Sequence, residues 1–186
     1  EDITGRIILK YLETAASIIG DHEITLTEEG ILDLLQIKYR WPEVALEVIN
    51  QCGNTSNGFF DGRKFIIYDK WKRLYDLGFT TLLNNVMDLT SELRALDDKL
   101  FEFKGSETNA NFYLSAGTKV KRPSFDPHHH EYDVIVKPIY GTCLWRINGQ
   151  VEQVSPEGVL IIPAGTQHSV CSNEEPRLSL TLNMSG

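Results

Sequence analysis

The sequence has no basic cluster, no long apolar run and no paired cysteines, and each lack removes a class of function. Lys and Arg number 18 against 26 Asp and Glu, for a formal net charge of −8. Nucleic-acid binders present a basic face, so no nucleic-acid partner is expected. The densest basic stretch, Lys119, Lys121 and Arg122, is too short to make such a face. It reads as a solvated loop beside a histidine-rich segment, where it could also attract an anionic substrate. No apolar run approaches the ~20 residues of a membrane-spanning helix, and no membrane partner is expected. The three cysteines, Cys52, Cys143 and Cys171, form no CxxC pair. Their odd number fits a reducing compartment better than a disulfide framework, so a cytoplasmic location is expected. No signal peptide is visible. The chain begins at Glu1 and not at a methionine, which leaves a trimmed leader and a module of a larger enzyme both open. Internal repeats and low-complexity segments are lacking too.

What is there is an ordinary globular composition, 41% apolar and 24% charged. The 186 residues suit one domain with a small helical extension. A chain of this size buries a core without a structural metal, so a metal here is expected to serve chemistry. The first half reads helical. Thr27 is a plausible N-cap, followed by Ile31, Leu34 and Leu35 on one face. Pro42 opens a second helix running to Ile49. Phe65 to Tyr68 is a short strand candidate. Leu82 to Met87 and Leu89 to Phe101 are expected to be two more helices, the second with a stripe of Leu89, Leu93, Leu96 and Leu100.

From about Asn109 the texture changes to strands and turns. Asn109, Asn111 and Tyr113 point one way, while Ala110, Phe112 and Leu114 point the other. Asp133 to Tyr140 is a second strand, whose Pro138 implies an edge or a bulge. Cys143 to Ile147 and Val151 to Val154 flank Asn148-Gly149, a type I′ hairpin signal. Val159 to Ile162, His168 to Cys171 and Leu178 to Asn183 follow. Helices first and then about seven short strands describe a mainly β barrel with an N-terminal helical preface. The expected division is residues 1–60 for the helical extension and 61–186 for the barrel.

The chemistry concentrates in Phe125 to Val136, FDPHHHEYDVIV. Residues two apart on a strand face the same side, so His128 and His130 present their imidazoles to one point while His129 faces away. Pro163 and Gly165 make a turn that delivers His168 from a neighbouring strand as a third ligand. Three neutral imidazoles suit iron, zinc, nickel or copper and leave coordination positions open. Glu131 and Asp133 are competing ligands only if a bulge turns them inward. His22 sits without a partner in a polar turn and reads as solvent-facing; Trp145 reads as core.

These segments resemble the cupin superfamily, whose first motif contains HxH and whose second reads PGDVLxxPxGxxH. Residues Pro156 to His168, PEGVLIIPAGTQH, are similar to the second, with Glu157-Gly158 where Gly-Asp is usual. The cupin glutamate after HxH has no counterpart, since Val134 and Ile135 stand there. From roughly Phe65 onward the chain also resembles the JmjC-like hydroxylase branch. Thr80 to Val86 resembles the short helix before that barrel, and Asn109 to Ser115 its first catalytic-domain strand. Pro127 to Val136 resembles its PHxDxHDVFV segment. The resemblance implies a jelly-roll (double-stranded β-helix) cupin barrel with a metal on His128, His130 and His168. It further implies Asn111 and Tyr113 as substrate-binding and catalytic candidates, and Asn183 as a pocket-lining asparagine.

Two departures separate the chain from the branch that uses 2-oxoglutarate. The second ligand there is Asp, whereas here it is His130. A lysine that pairs with the co-substrate's distal carboxylate is replaced by Cys143, whose thiol cannot make that ion pair. Cys143 would then line the vacated space or stay an inert core residue. Both departures argue against 2-oxoglutarate unless Lys137 or Arg146 substitutes for the clamp. Three-histidine cupins include dioxygenases whose substrate itself chelates the metal. The resemblance therefore implies an Fe(II)-dependent oxygenase acting with O2 on a small polar or anionic metabolite. Alternatives are a 2-oxoglutarate-dependent hydroxylase of a peptide or amino acid, and a non-redox zinc or nickel cupin, either an isomerase or a metabolite-binding module. Small cupins often pair through sheet edges, so a homodimer is a further expectation.

Overall fold

A computed structural model describes residues 3–38, 40–42, 44–50, 52–118 and 126–185. Four helices lie along them: α1 (Ile3–Asp21), α2 (Glu28–Ile37), α3 (Tyr68–Asp76) and α4 (Ser91–Lys104). Each turns one stripe inward. Leu12, Ala15, Ala16 and Ile19 of α1 recur every three or four residues and are buried, as are Leu93, Leu96 and Leu100 of α4. Thr27 caps α2 as expected, its hydroxyl accepting from the Gly30 N–H at 3.1 Å. Thr90 does the same for α4 through Leu93, at 3.2 Å. The first and third helices had no counterpart among the expected elements.

The strands are β1 (Leu46–Ile49), β2 (Thr55–Ser56), β3 (Thr80–Leu83), β4 (Ala110–Ser115), β5 (Val134–Tyr140), β6 (Cys143–Ile147), β7 (Gln150–Val154), β8 (Leu160–Ile162), β9 (His168–Ser172) and β10 (Arg177–Asn183). They form two antiparallel sheets, one of seven strands in the order β2-β1-β3-β4-β10-β5-β8 and one of three, β7-β6-β9. Residues 1–60 supply α1 and α2 and also β1 and β2, which complete one edge of the larger sheet.

Two stretches expected to be helices are strands. Leu46 to Ile49 forms β1, and Pro42 begins a turn, with the Ala45 N–H bonded to the Pro42 carbonyl at 3.2 Å. Thr80 to Leu83, which includes the start of the expected Leu82 helix, forms β3 between β1 and β4. Both are short and buried on nearly every residue, so their apolar runs lack the alternation that marks a strand. Phe65 and Ile66 make only isolated bridges, to Arg40 and Phe60, and Tyr68 already belongs to α3.

Alternation along β5 shows how the layers stack. Ile135 joins the large core between the helices and the outer face of the seven-stranded sheet. Val134 and Val136 join a second cluster with Cys143, Trp145 and Ile162, between the two sheets. Pro138 lies beyond the three residues of β5 that pair with β8, and the β5–β10 register shifts opposite it, at Leu178/Ser179. The missing N–H of Pro138 therefore falls at a bulge. Asn148 and Gly149 have φ of 47° and 85°, the backbone of a type I′ turn joining β6 to β7.

Candidate metal centre

The three histidines meet because two chain segments are laced together by backbone hydrogen bonds. His128 and His168 form an isolated antiparallel bridge, each N–H donating to the other's carbonyl, at 3.1 and 2.8 Å. Gly165, at φ 76°, donates its N–H to the His130 carbonyl at 2.8 Å, and Thr166 closes the turn onto the Pro163 carbonyl at 3.1 Å. The Asp133 carboxylate accepts from the Ala164 N–H at 2.8 Å. Asp133 thus positions the turn that delivers His168. His129 is 59% exposed and lies 3.8 Å from Glu131, turned away as the spacing implied.

The ring centroids of His128, His130 and His168 are 4.9, 4.5 and 5.0 Å apart, nearly an equilateral triangle. One nitrogen from each ring lies within 4.8 Å of the other two. The Nδ1–H of His128 donates to the Asp126 carbonyl at 2.9 Å, and that of His168 to the Thr166 carbonyl at 2.8 Å. A carbonyl only accepts, so both rings carry their proton on Nδ1 and their lone pair on Nε2. Burial, followed by the neighbouring imidazoles of His128, His168 and His129, pushes the His130 pKa down. Burial also lowers that of His168, against an opposing bond to Thr166 and with the help of His128 and His129. The neutral imidazole is the form that binds a metal. Donor type and tautomer fit a divalent ion, which takes imidazole nitrogens at about 2.1 Å, and the three rings are close enough to converge on one.

The triad opens into a cavity of about 400 Å³ between the sheets. Its walls are largely apolar, with Val134, Val136, Trp145, Ile162 and Val170, while Asp126, Tyr113, Arg177, Ser179 and Thr181 supply polar groups.

A family model for the AraC-like ligand-binding domain matches residues 117–186. Structures of YcfD, a ribosomal oxygenase from Escherichia coli, are similar to most of the chain. The one in complex with cobalt and 2-oxoglutarate has a TM-score of 0.59 at 18% identity, covering 89% of this chain and 46% of its own. Another gives 0.60 at 17% identity, covering 89% and 47%. The fold is a cupin fold. The chain spans about half the length of the YcfD chains. Comparison of its sequence with curated proteins finds no match. No helix among the described residues is long and apolar enough to cross a membrane.

Within the cupin cavity the expected residues separate. Tyr113 lines it, with its phenol pKa raised by burial against the opposing charge of Arg177. Asn111 accepts from the Asn85 N–H at 3.1 Å and lines a different cavity. The Asn183 side chain accepts from the Ser185 N–H at 3.0 Å. Cys143 is 2% exposed, and burial pushes its thiol pKa up. Neither alternative clamp faces the site. Lys137 caps the C-terminus of α1, donating to the carbonyls of Ile19, Gly20 and His22 at 2.8, 3.1 and 2.8 Å, and Arg146 is exposed. His22 is buried, not solvent-facing: it donates from Nε2 to the Glu92 carbonyl at 2.7 Å and accepts from Lys99 at 3.1 Å. Lys119, Lys121, Arg122 and Phe125 lie outside the described residues.

The residue that sequence reasoning missed is Arg177. It is 3% exposed, lines the cavity and donates from Nη1 to the Cys143 thiol at 3.4 Å. A cation therefore stands beside Cys143 after all, carried on β10 instead of β6. The available signal was the alternation Arg177, Ser179, Thr181 along the last strand, a polar face opposite Leu178, Leu180 and Leu182.

Proposed function

We propose that this protein is a mononuclear non-haem Fe(II) cupin oxygenase that acts with O2 on a small polar or anionic metabolite. The observation that carries the reading is the triad of imidazoles, two of them with the proton placed on Nδ1, opening into a mostly apolar cavity large enough for such a ligand. Iron(II) held by His128, His130 and His168 would supply the redox chemistry of oxygen. The protein's own groups do the rest. The Asp126 and Thr166 carbonyls hold the protons of His128 and His168 on Nδ1, so that their Nε2 atoms would face the ion. Tyr113, kept protonated by burial, offers a hydroxyl to orient the substrate. Val134, Val136, Trp145, Ile162 and Val170 exclude water from the reacting end.

Metal analysis after anaerobic purification tests this, read together with O2 uptake. The wild type should hold about one iron per chain, and His168→Ala should lose it. Unchanged iron in that variant would sink the site, and zinc with no O2 uptake would favour a non-redox cupin.

A second reading, a 2-oxoglutarate-dependent hydroxylase, is favoured by one specific observation. Arg177 puts a guanidinium beside Cys143, where the branch's lysine would stand. Titrating the Fe(II) protein with 2-oxoglutarate separates the readings: a visible charge-transfer band and release of succinate support this one, and their lack supports the first.

A further inference from the structure

Arg177 is a buried cation that no carboxylate among the described residues neutralises. Its Nε is sealed from solvent and has no hydrogen-bond partner among the described residues. Its Nη1 donates only to a thiol, a weak acceptor. No described carboxylate lies within ion-pairing distance of it. A guanidinium this deep is costly unless something of opposite charge completes it. A planar fork of N–H groups is best completed by a carboxylate.

The surroundings hold Arg177 in place. It opens β10 opposite Ser115, so its side chain falls on the same sheet face as Ser179 and Thr181 and lines the same cavity as the triad. Its backbone is pressed against Gly141, which has φ 78°; a Cβ there would run into the Pro176 carbonyl oxygen and come within 2.8 Å of the Arg177 Cα. Thr142 N–H bonds the Glu175 carboxylate at 2.6 Å and pins the preceding turn.

Strand β6 runs alongside the cavity and gives its scale. Cys143 of β6 touches Arg177, and Ile147 pairs with His168, both of which line the cavity. Four residue steps separate Cys143 from Ile147, about 13 Å between Cα atoms. A ligand that touches both Arg177 and His168 is therefore short.

We propose that Arg177 anchors the carboxylate of a small organic acid whose other end lies at the histidine triad. This rests on reading the triad's cavity as the substrate site. The carboxylate has two sources, a substrate's own acid group or the distal carboxylate of 2-oxoglutarate.

The test uses metal-free protein, so that it does not depend on activity. Thermal shift and calorimetry with succinate as probe should show a raised Tm and measurable binding, while uncharged succinamide should do nothing. Arg177→Gln should weaken succinate binding at least tenfold, and Arg177→Lys should recover part of it. Because binding is read without metal, a failed metal assignment stays distinct from a failed anchor. Comparison with the Mn(II)-loaded protein tells the sources apart. If the metal tightens 2-oxoglutarate tenfold or more but not succinate, the co-substrate is the source. If both acids are unaffected alike, the source is the substrate's own acid group. Equal responses to succinate and succinamide by the wild type would overturn the proposal even if Arg177→Gln fails to fold, as would succinate binding that survives Arg177→Gln.

Discussion

Whether an imidazole can serve as a ligand depends on its proton, and here two of the three rings have that proton placed by backbone carbonyls. The same environment makes the metal-free protein sensitive to acid. The pKa values of His130 and His168 are depressed in the fold, so the unfolded chain binds protons more readily near its ordinary value of about 6.5. Stability should therefore fall as pH drops through that value. Melting metal-free protein between pH 7.5 and 5 should show this slope, and His168→Gln should flatten it. At this scale the histidines were legible because HxH and PxGxxH are spacings of the chain itself. Asn111 was misplaced because its partner, the backbone of Asn85 at φ 56°, belongs to a distant turn that no local pattern announces. Arg177 was passed over because its meaning comes from Cys143, which is 34 residues away in sequence and hydrogen-bonded to it in space.

Among the elements, β5 is the hinge of the design: successive side chains serve opposite layers. Lys137 falls on the helix side, and there it satisfies three carbonyls at the end of α1. Lys137→Met keeps the stem but abandons those acceptors, and should cost about 1–3 kcal/mol, measured as a lower denaturation midpoint with the iron content of the triad unchanged. The elements from Asn109 onward were readable because half-buried strands alternate and the Asn-Gly turn has its own chemistry. Buried β1 and β3 were not, since strands covered on both faces lose the alternation that tells them from helices.

For the molecule as a whole, the helices and the outer face of the large sheet form a core that owes nothing to the triad. Removing the metal should therefore weaken the fold without dissolving it. Thermal melts followed by circular dichroism, with and without a chelator, should both be cooperative, with the chelated protein melting lower. A single non-cooperative melt after chelation would show instead that the ion is structural. The acidic chain as a whole repels anions, and the buried guanidinium in its cavity supplies the local exception.

The bridge between His128 and His168 has a mechanical side. His168 begins β9 in the small sheet, while His128 and His130 lead into β5 of the large one. An ion held by all three would rivet one sheet to the other across the mouth of the cavity. The rivet closes only when the two sheets are at the right separation, so the same contact that binds the ion also sets the width of the slot the substrate must enter.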